Sequence, residues 1–135
     1  MSRSGYIDDM EDQWAFIRYR GAVNSATRGK RGQVFFRELL AALDAMPEKR
    51  LIADSLVSGA EFCTLGVLGA ARGLDLENMD PDDAETVAAA FNVADCLARE
   101  VVFMNDEAWY DDTPEQRFAR MRRWVESQIT KEPTQ

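Results

Sequence analysis

The residues best placed to do chemistry lie between Arg28 and Gly32, in the run R-G-K-R-G. Arg28, Lys30 and Arg31 alternate with two glycines just ahead of a strongly helical stretch. Unsatisfied first-turn amides and the helix dipole would add there to three side-chain cations, so an anion such as a phosphate suits the arrangement. Arg18 and Arg20 carry the basic character upstream, and with them the loop becomes a candidate anion or nucleic-acid site. The plainer reading makes it a polar connector between helices.

The opposite chemistry is offered by N-D-E-A-W-Y-D-D, residues 105–112. Asp106 with Glu107 and Asp111 with Asp112 are acid pairs of the type that binds hard cations, but adjacency alone does not give a coordination shell. Together with Trp109 and Tyr110 they form a candidate contact patch for a protein partner; the alternative is that the two aromatics cover the edge of the core. A second acidic run, D-L-E-N-M-D-P-D-D (75–83), lacks the glycine of a calcium loop. Asp80 as N-cap and Pro81 at the first helical position account for it better.

The sequence contains no histidine. Ser-His-Asp triads, Cys-His dyads and His-bearing zinc sites are therefore excluded. The two cysteines, Cys63 and Cys96, sit inside apolar segments and read as buried reduced thiols, and two are too few for an all-cysteine zinc site. No cofactor or metal is expected, and no enzymatic activity.

Net charge is −8 over 135 residues, unevenly placed. Residues 1–50 carry nine Lys/Arg against seven Asp/Glu, residues 51–112 two against fourteen, and residues 113–135 five against three. Such a middle repels nucleic acid unless the basic ends form a face of their own. It suits a basic partner instead. No apolar run approaches the ~20 residues of a membrane span, and M-S-R-S-G-Y-I-D-D has no apolar signal region, so a cytoplasmic location without membrane association is expected.

Positioning these residues requires helices. Phe36, Leu39, Leu40 and Leu43 recur at i, i+3, i+4 and i+7, with Phe35, Ala42 and Met46 widening the stripe, and Pro47 ends the helix. An earlier helix is expected from about Asp9 to Thr27, with Met10, Trp14, Ile17 and Gly21 tracing one face that Phe16 and Val23 broaden. Gly29 would end it as a left-handed residue and Gly32 would let the next helix begin, leaving the basic loop at the tip of a helical hairpin. Residues 51–64 lose the helical period and suggest a small β-hairpin with a turn at Ser58-Gly59; a helix over 48–57 is the competing assignment. Leu65 to Arg72 forms a short helix closed by Gly73. Residues 81–104 suggest two helices about an Asn92 turn, a helix-turn-helix rhythm whose second helix is too acidic to read DNA. Thr113-Pro114-Glu115-Gln116 spells a capping box, opening a last helix that buries Phe118, Met121, Trp124 and Val125 and lines up Arg117, Arg120 and Arg123 on another face. The expectation is a mainly α, single-domain bundle of about five or six helices over 9–130, with a small β-hairpin near 51–64 and flexible ends at 1–8 and 131–135.

Several runs, R-G-A-V-x-S-A, R-G-K-R-G-Q-x-F-x-R-E-L-L-A-A-L-D-A-M-P-E-K-R-L-I-A, A-R-G-L-D, A-R-E-V-V-F-M-N-D-E and T-P-E-Q-R-F-A-R-M-R-R-W-V, resemble a family of small uncharacterised proteins of tailed phages and prophages. The resemblance implies a phage origin and a role inside the bacterial host, and it supplies no catalytic residues. The function expected is a non-enzymatic protein-interaction module acting on a host protein, such as a defence factor, or on a phage protein. The alternative is a nucleic-acid or phosphate binder using the basic loop. Self-association stays open.

Overall fold

Leu39 and Leu43 have no solvent exposure, and around them the rest of the chain is arranged. They lie on α2 (Lys30–Ala45), the helix expected from the i, i+3, i+4, i+7 apolar spacing. Phe35 and Phe36 are buried on the same helix, edge-on to one another, and Phe36 meets the Trp124 ring edge-on at 5.6 Å. Each such side chain contributes about 1.5–3 kcal/mol through burial.

The structure is a computed structural model that describes residues 13–107 and 111–130. Among these residues, six helices and one two-stranded hairpin follow in order. Helix α1 (Gln13–Arg28) precedes α2; β1 (Val57–Ser58) and β2 (Glu61–Phe62) pair antiparallel, Val57 with Phe62 and Ser58 with Glu61. Then come α3 (Thr64–Ala71), α4 (Ala84–Phe91), α5 (Asp95–Asp106) and α6 (Pro114–Gln128). Helix α2 touches α1, α3 and α6, while α5 touches α1, α3, α4 and α6. The mainly α fold with a small hairpin is thus as the apolar spacing predicts. The hairpin turn lies at Gly59-Ala60, one residue later than expected, and residues 51–56 are irregular instead of strand or helix.

A polar clamp holds that irregular stretch. Asn105, almost fully buried, accepts from the Thr64 amide at 3.1 Å and hydroxyl at 2.7 Å, and donates to the Ile52 carbonyl at 2.9 Å. Arg117, also buried, donates to the Asn105 carbonyl at 3.0 Å and the Leu51 carbonyl at 3.1 Å. Burying backbone groups outside regular structure is costly unless they are paired, and these side chains do the pairing. Arg117 therefore does not belong to a surface strip. Arg120 also turns inward, to Asp112 and the Met104 carbonyl, which leaves Arg123 exposed by itself.

Three local expectations are corrected. The chain reverses between α1 and α2 over one residue: Gly29 is the N-cap of α2 with extended φ −68° and ψ 167°, not a left-handed helix end. Gly32 lies inside the first turn of α2, where a Cβ would stand 1.9 Å from the Ala26 carbonyl oxygen, so its role is close helix approach. Helix α4 is capped by Asp83, whose side chain accepts from the Thr86 amide, three residues beyond the expected Asp80. Asp80 instead closes a turn onto the Asp82 amide at 2.9 Å, which leaves Pro81 outside the helix.

Other terminators act as read. Asn92 adopts the left-handed conformation between α4 and α5, and Gly73 does so after α3. Thr113 and Gln116 form the reciprocal capping box of α6, with Pro114 at its first position.

Candidate interaction surface

Of the face expected on α1, Val23 is buried but Trp14, Phe16, Ile17 and Gly21 are exposed, and Met10 lies outside the described residues. Tyr19, Val23 and Thr27 are its buried residues, whereas Trp14 is 70% and Ile17 49% exposed. Gly21 is exposed too, with nothing within 4 Å of an added Cβ. The stripe of Trp14, Ile17 and Gly21 is real, but it points into solvent. Electrostatics accounts for this better than apolar periodicity does. Arg18 and Arg28 lie on the same face and are exposed, and burying them without partners would be costly.

What α1 does bury is anchored by polar contacts. The Tyr19 hydroxyl donates to the Cys96 carbonyl at 3.1 Å, and the Arg99 guanidinium stands 5.8 Å from the Tyr19 ring centre. Arg20 reaches Glu100 at 2.7 Å, a pair whose carboxylate side chain is 6% exposed. The second Glu100 oxygen, Oε1, is buried with no hydrogen-bond partner among the described residues. Arg20 is thereby withdrawn from the anion site proposed on sequence and becomes part of the α1–α5 joint.

Of the remaining basic residues, Lys30 and Arg31 line one hollow, whereas Arg18 stands about 15 Å along α1 from Arg28. Lys30 and Arg31 occupy the uncapped first turn of α2, one residue past Arg28 and Gly29. A shallow hollow of about 170 Å³ is lined by Lys30, Arg31, Val34, Arg72, Phe91 and Asn92. Two of its cations are already engaged: Arg31 donates to the Asn92 side chain at 3.2 Å, and Arg72 holds Glu38 and the Phe91 carbonyl. Arg18, Arg28 and Lys30 have no ion-pair partner among the described residues. From 13 to 37 the chain carries six Lys/Arg and no acid, and from 73 to 98 seven Asp/Glu and no base. The surface is polarised along the sequence.

Three of the four acids of the expected contact patch are half-buried or buried. Asp106 is 8% exposed and accepts from the Asp54 amide at 3.2 Å and the Asn105 side chain at 2.8 Å, so it serves the clamp. Glu107 is the half-buried C-cap of α5, and Asp112 is held by Arg120 at 2.7 Å. Asp111 alone of the four acids is exposed, and Trp109 and Tyr110 lie outside the described residues. Among the described residues no three Cys, Asp or Glu side chains converge as a metal-holding group.

Neither cysteine is part of a disulfide. Cys63 is buried and its sulfur accepts from the Gly66 amide at the start of α3. Cys96 is half-buried, and desolvation, with help from Asp95 and Glu100, pushes its thiol above the usual range. It is a weak nucleophile at neutral pH. Helix α5, the second helix of the helix-turn-helix rhythm, buries Leu97, Ala98, Glu100, Val101 and Val102 and is packed on by four helices, so it cannot enter a groove of DNA.

Fold and surface together define a small helical domain with an apolar, cation-flanked outer helix. No known protein family, no curated protein and no solved structure matches the chain. Among the described residues, no helix is long and apolar enough to cross a membrane.

Proposed function

We propose that this protein acts by binding another protein, without catalysis, and that the outward face of α1 is its docking surface. One observation carries this: Trp14 is 70% exposed with Ile17, one turn away, 49% exposed. An exposed tryptophan beside an aliphatic residue on a rigid helix is the composition of an interface anchor. The phage resemblance adds a partner class, a host or phage protein inside the bacterial cell. The polarised charge adds orientation, since the acid-free stretch 13–37 would steer toward an acidic surface.

The test is partner capture by wild-type protein against a Trp14→Ser/Ile17→Ser variant. A specific polypeptide retained by the first and lost by the second, with the fold intact by circular dichroism, is the expected result. Equal retention by both removes α1 from the reading.

One observation favours a second reading, nucleic-acid binding: Arg18, Arg28 and Lys30 are exposed and carry no ion pair among the described residues. A salt series with wild type and an Arg18→Ala/Arg28→Ala/Lys30→Ala variant separates the two. Nucleic-acid binding predicts a steep loss of affinity with salt and a shallower slope in the variant.

A further inference from the structure

We propose that the outer face of α1 receives an acidic amphipathic helix of the partner protein. That helix runs antiparallel to α1, with its carboxylates in its N-terminal half and its apolar side chains in its C-terminal half. This rests on the reading of the face as the docking surface and names the chemistry of its occupant.

The face is divided along its length. Trp14, Ile17, Gly21 and Arg28 recur at intervals of three, four and seven residues, so they follow one line down α1. The Trp14–Ile17 end is apolar, 70% and 49% exposed. The other end carries exposed Asn24, Ser25 and Arg28, with exposed Lys30 opening α2 just beyond. Gly21 stands between the two ends. Nothing lies within 4 Å of a Cβ built there, so an approaching helix meets a notch instead of a ridge. Trp14 and Arg28 are about 21 Å apart along the axis. An occupant that engages both ends is therefore about four turns of helix, divided in the same way.

Charge complementarity fixes the sign. From 13 to 37 the chain carries six Lys/Arg and no Asp/Glu. Arg28 and Lys30 have no ion pair among the described residues to give up, so acids of the occupant can meet both. Its aliphatic side chains then cover Trp14 and Ile17. A single-stranded nucleic acid would satisfy the same cations, but this line offers one ring and an aliphatic branch where bases need several faces to stack on. A lipid surface would need a broader apolar face than these two side chains.

Direction follows from the helix dipole. Acids stabilise the first turn of a helix and destabilise its last. The acidic half of the occupant is therefore its N-terminal half. That half must lie at Arg28, the C-terminal end of α1, which makes the pair antiparallel. The notch at Gly21 then takes an apolar side chain from the middle of the occupant.

The probe is a labelled, alanine-based peptide of about four turns, with Glu in its first two turns and Leu in its last two, followed by fluorescence anisotropy. Its control is a twin with Lys in place of Glu. The Glu peptide should bind wild-type protein in the micromolar range, as suits a single helix face, and more weakly as salt rises. The Lys twin should bind at least about tenfold more weakly. Arg28→Glu/Lys30→Glu should reverse that preference. Trp14→Ala and Gly21→Leu should each weaken the Glu peptide at least about tenfold. All four positions are exposed, so unchanged circular dichroism and melting show that the fold survives.

Orientation is read by disulfide trapping in a Cys96→Ser background. A cysteine at the N-terminus of the Glu peptide should cross-link to Ser25→Cys and not to Arg18→Cys; the opposite pattern overturns the antiparallel arrangement. Failure of the Glu peptide to bind, or equal binding of the Lys twin, overturns the acidic occupant. So does Trp14-dependent binding of a single-stranded oligonucleotide or of phosphatidylserine vesicles in its place. A protein captured through Trp14 and Ile17 but indifferent to Arg28→Glu/Lys30→Glu also overturns it. That last result leaves the docking role of α1 standing, so the two readings fail separately.

Discussion

Helices α1 and α2 are equally long, adjacent and joined through one residue, yet they face the molecule in opposite ways. Phe35, Phe36, Leu39 and Leu43 of α2 lie within 1% of complete burial. Helix α1 buries Tyr19, Val23 and Thr27 and leaves Trp14 and Ile17 in solvent. An apolar stripe shows that a helix has something to cover, not that its own chain will cover it. The deciding feature is what else shares the face. Helix α2 places Arg37 and Glu38 away from its stripe, whereas α1 sets Arg18 and Arg28 among its apolar residues.

That contrast can be broken by substitution. Phe36→Ala should cost about 3–5 kcal/mol, while Trp14→Ala should stay within about 0.5 kcal/mol in the monomer. Urea melts of the two variants check this, and a large loss from Trp14→Ala would place that residue in the core. Gly32→Ala drives a Cβ into the Ala26 and Thr27 carbonyls, at 1.9 and 2.9 Å, and should cost about 3 kcal/mol by prising α1 from α2. Gly21→Ala, on the open side, should instead stabilise the monomer by about 0.5–1 kcal/mol through helix propensity. Opposite signs in one melting experiment would confirm which side of α1 is covered.

The joint between α1 and α5 sets the next effect. Arg20→Ala leaves the Glu100 carboxylate buried without its cation and should cost about 2 kcal/mol, less than a fully buried pair because Arg20 is one-third exposed. Hydrogen exchange should then show α1 amides protecting less while α2 amides hold.

The smallest effect concerns pH and lies on the acidic side of the molecule. The Thr86 hydroxyl, and then its amide, hold the Asp83 carboxyl below the usual carboxylate range. A lowered folded value gives stability that is present above the unfolded pKa of about 4 and is lost as pH falls through the folded value. The melting-temperature gap between wild type and Asp83→Ala should accordingly be full at neutral pH and close as the solution is acidified below that point.

Much of the fold was legible because local signals agreed. The α2 spacing, Pro47, the Asn92 turn and the Thr113–Gln116 box each act within a few residues, where sequence is enough. The site was less legible because its residues are assigned by distant partners. Arg20 is taken up by Glu100, Arg120 by Asp112, Arg117 by two carbonyls and Asp106 by the Asp54 amide. No spacing rule connects residue 20 with residue 100. One clue to the outer face was available, the absence of any acid between residues 13 and 37, and it outweighed the apolar period of α1.

The one-residue reversal at Gly29 has a consequence for how α1 binds anything. With the Gln33 side chain tying the Thr27 carbonyl to the carbonyl of Gln128, the end of α1 is fastened to both α2 and α6. Trp14 and Ile17 are thus presented on a preorganised rod that has no hinge at its base. Association then pays little for ordering backbone. Its heat-capacity change should follow the apolar area covered, without the larger signature of a segment that folds as it binds.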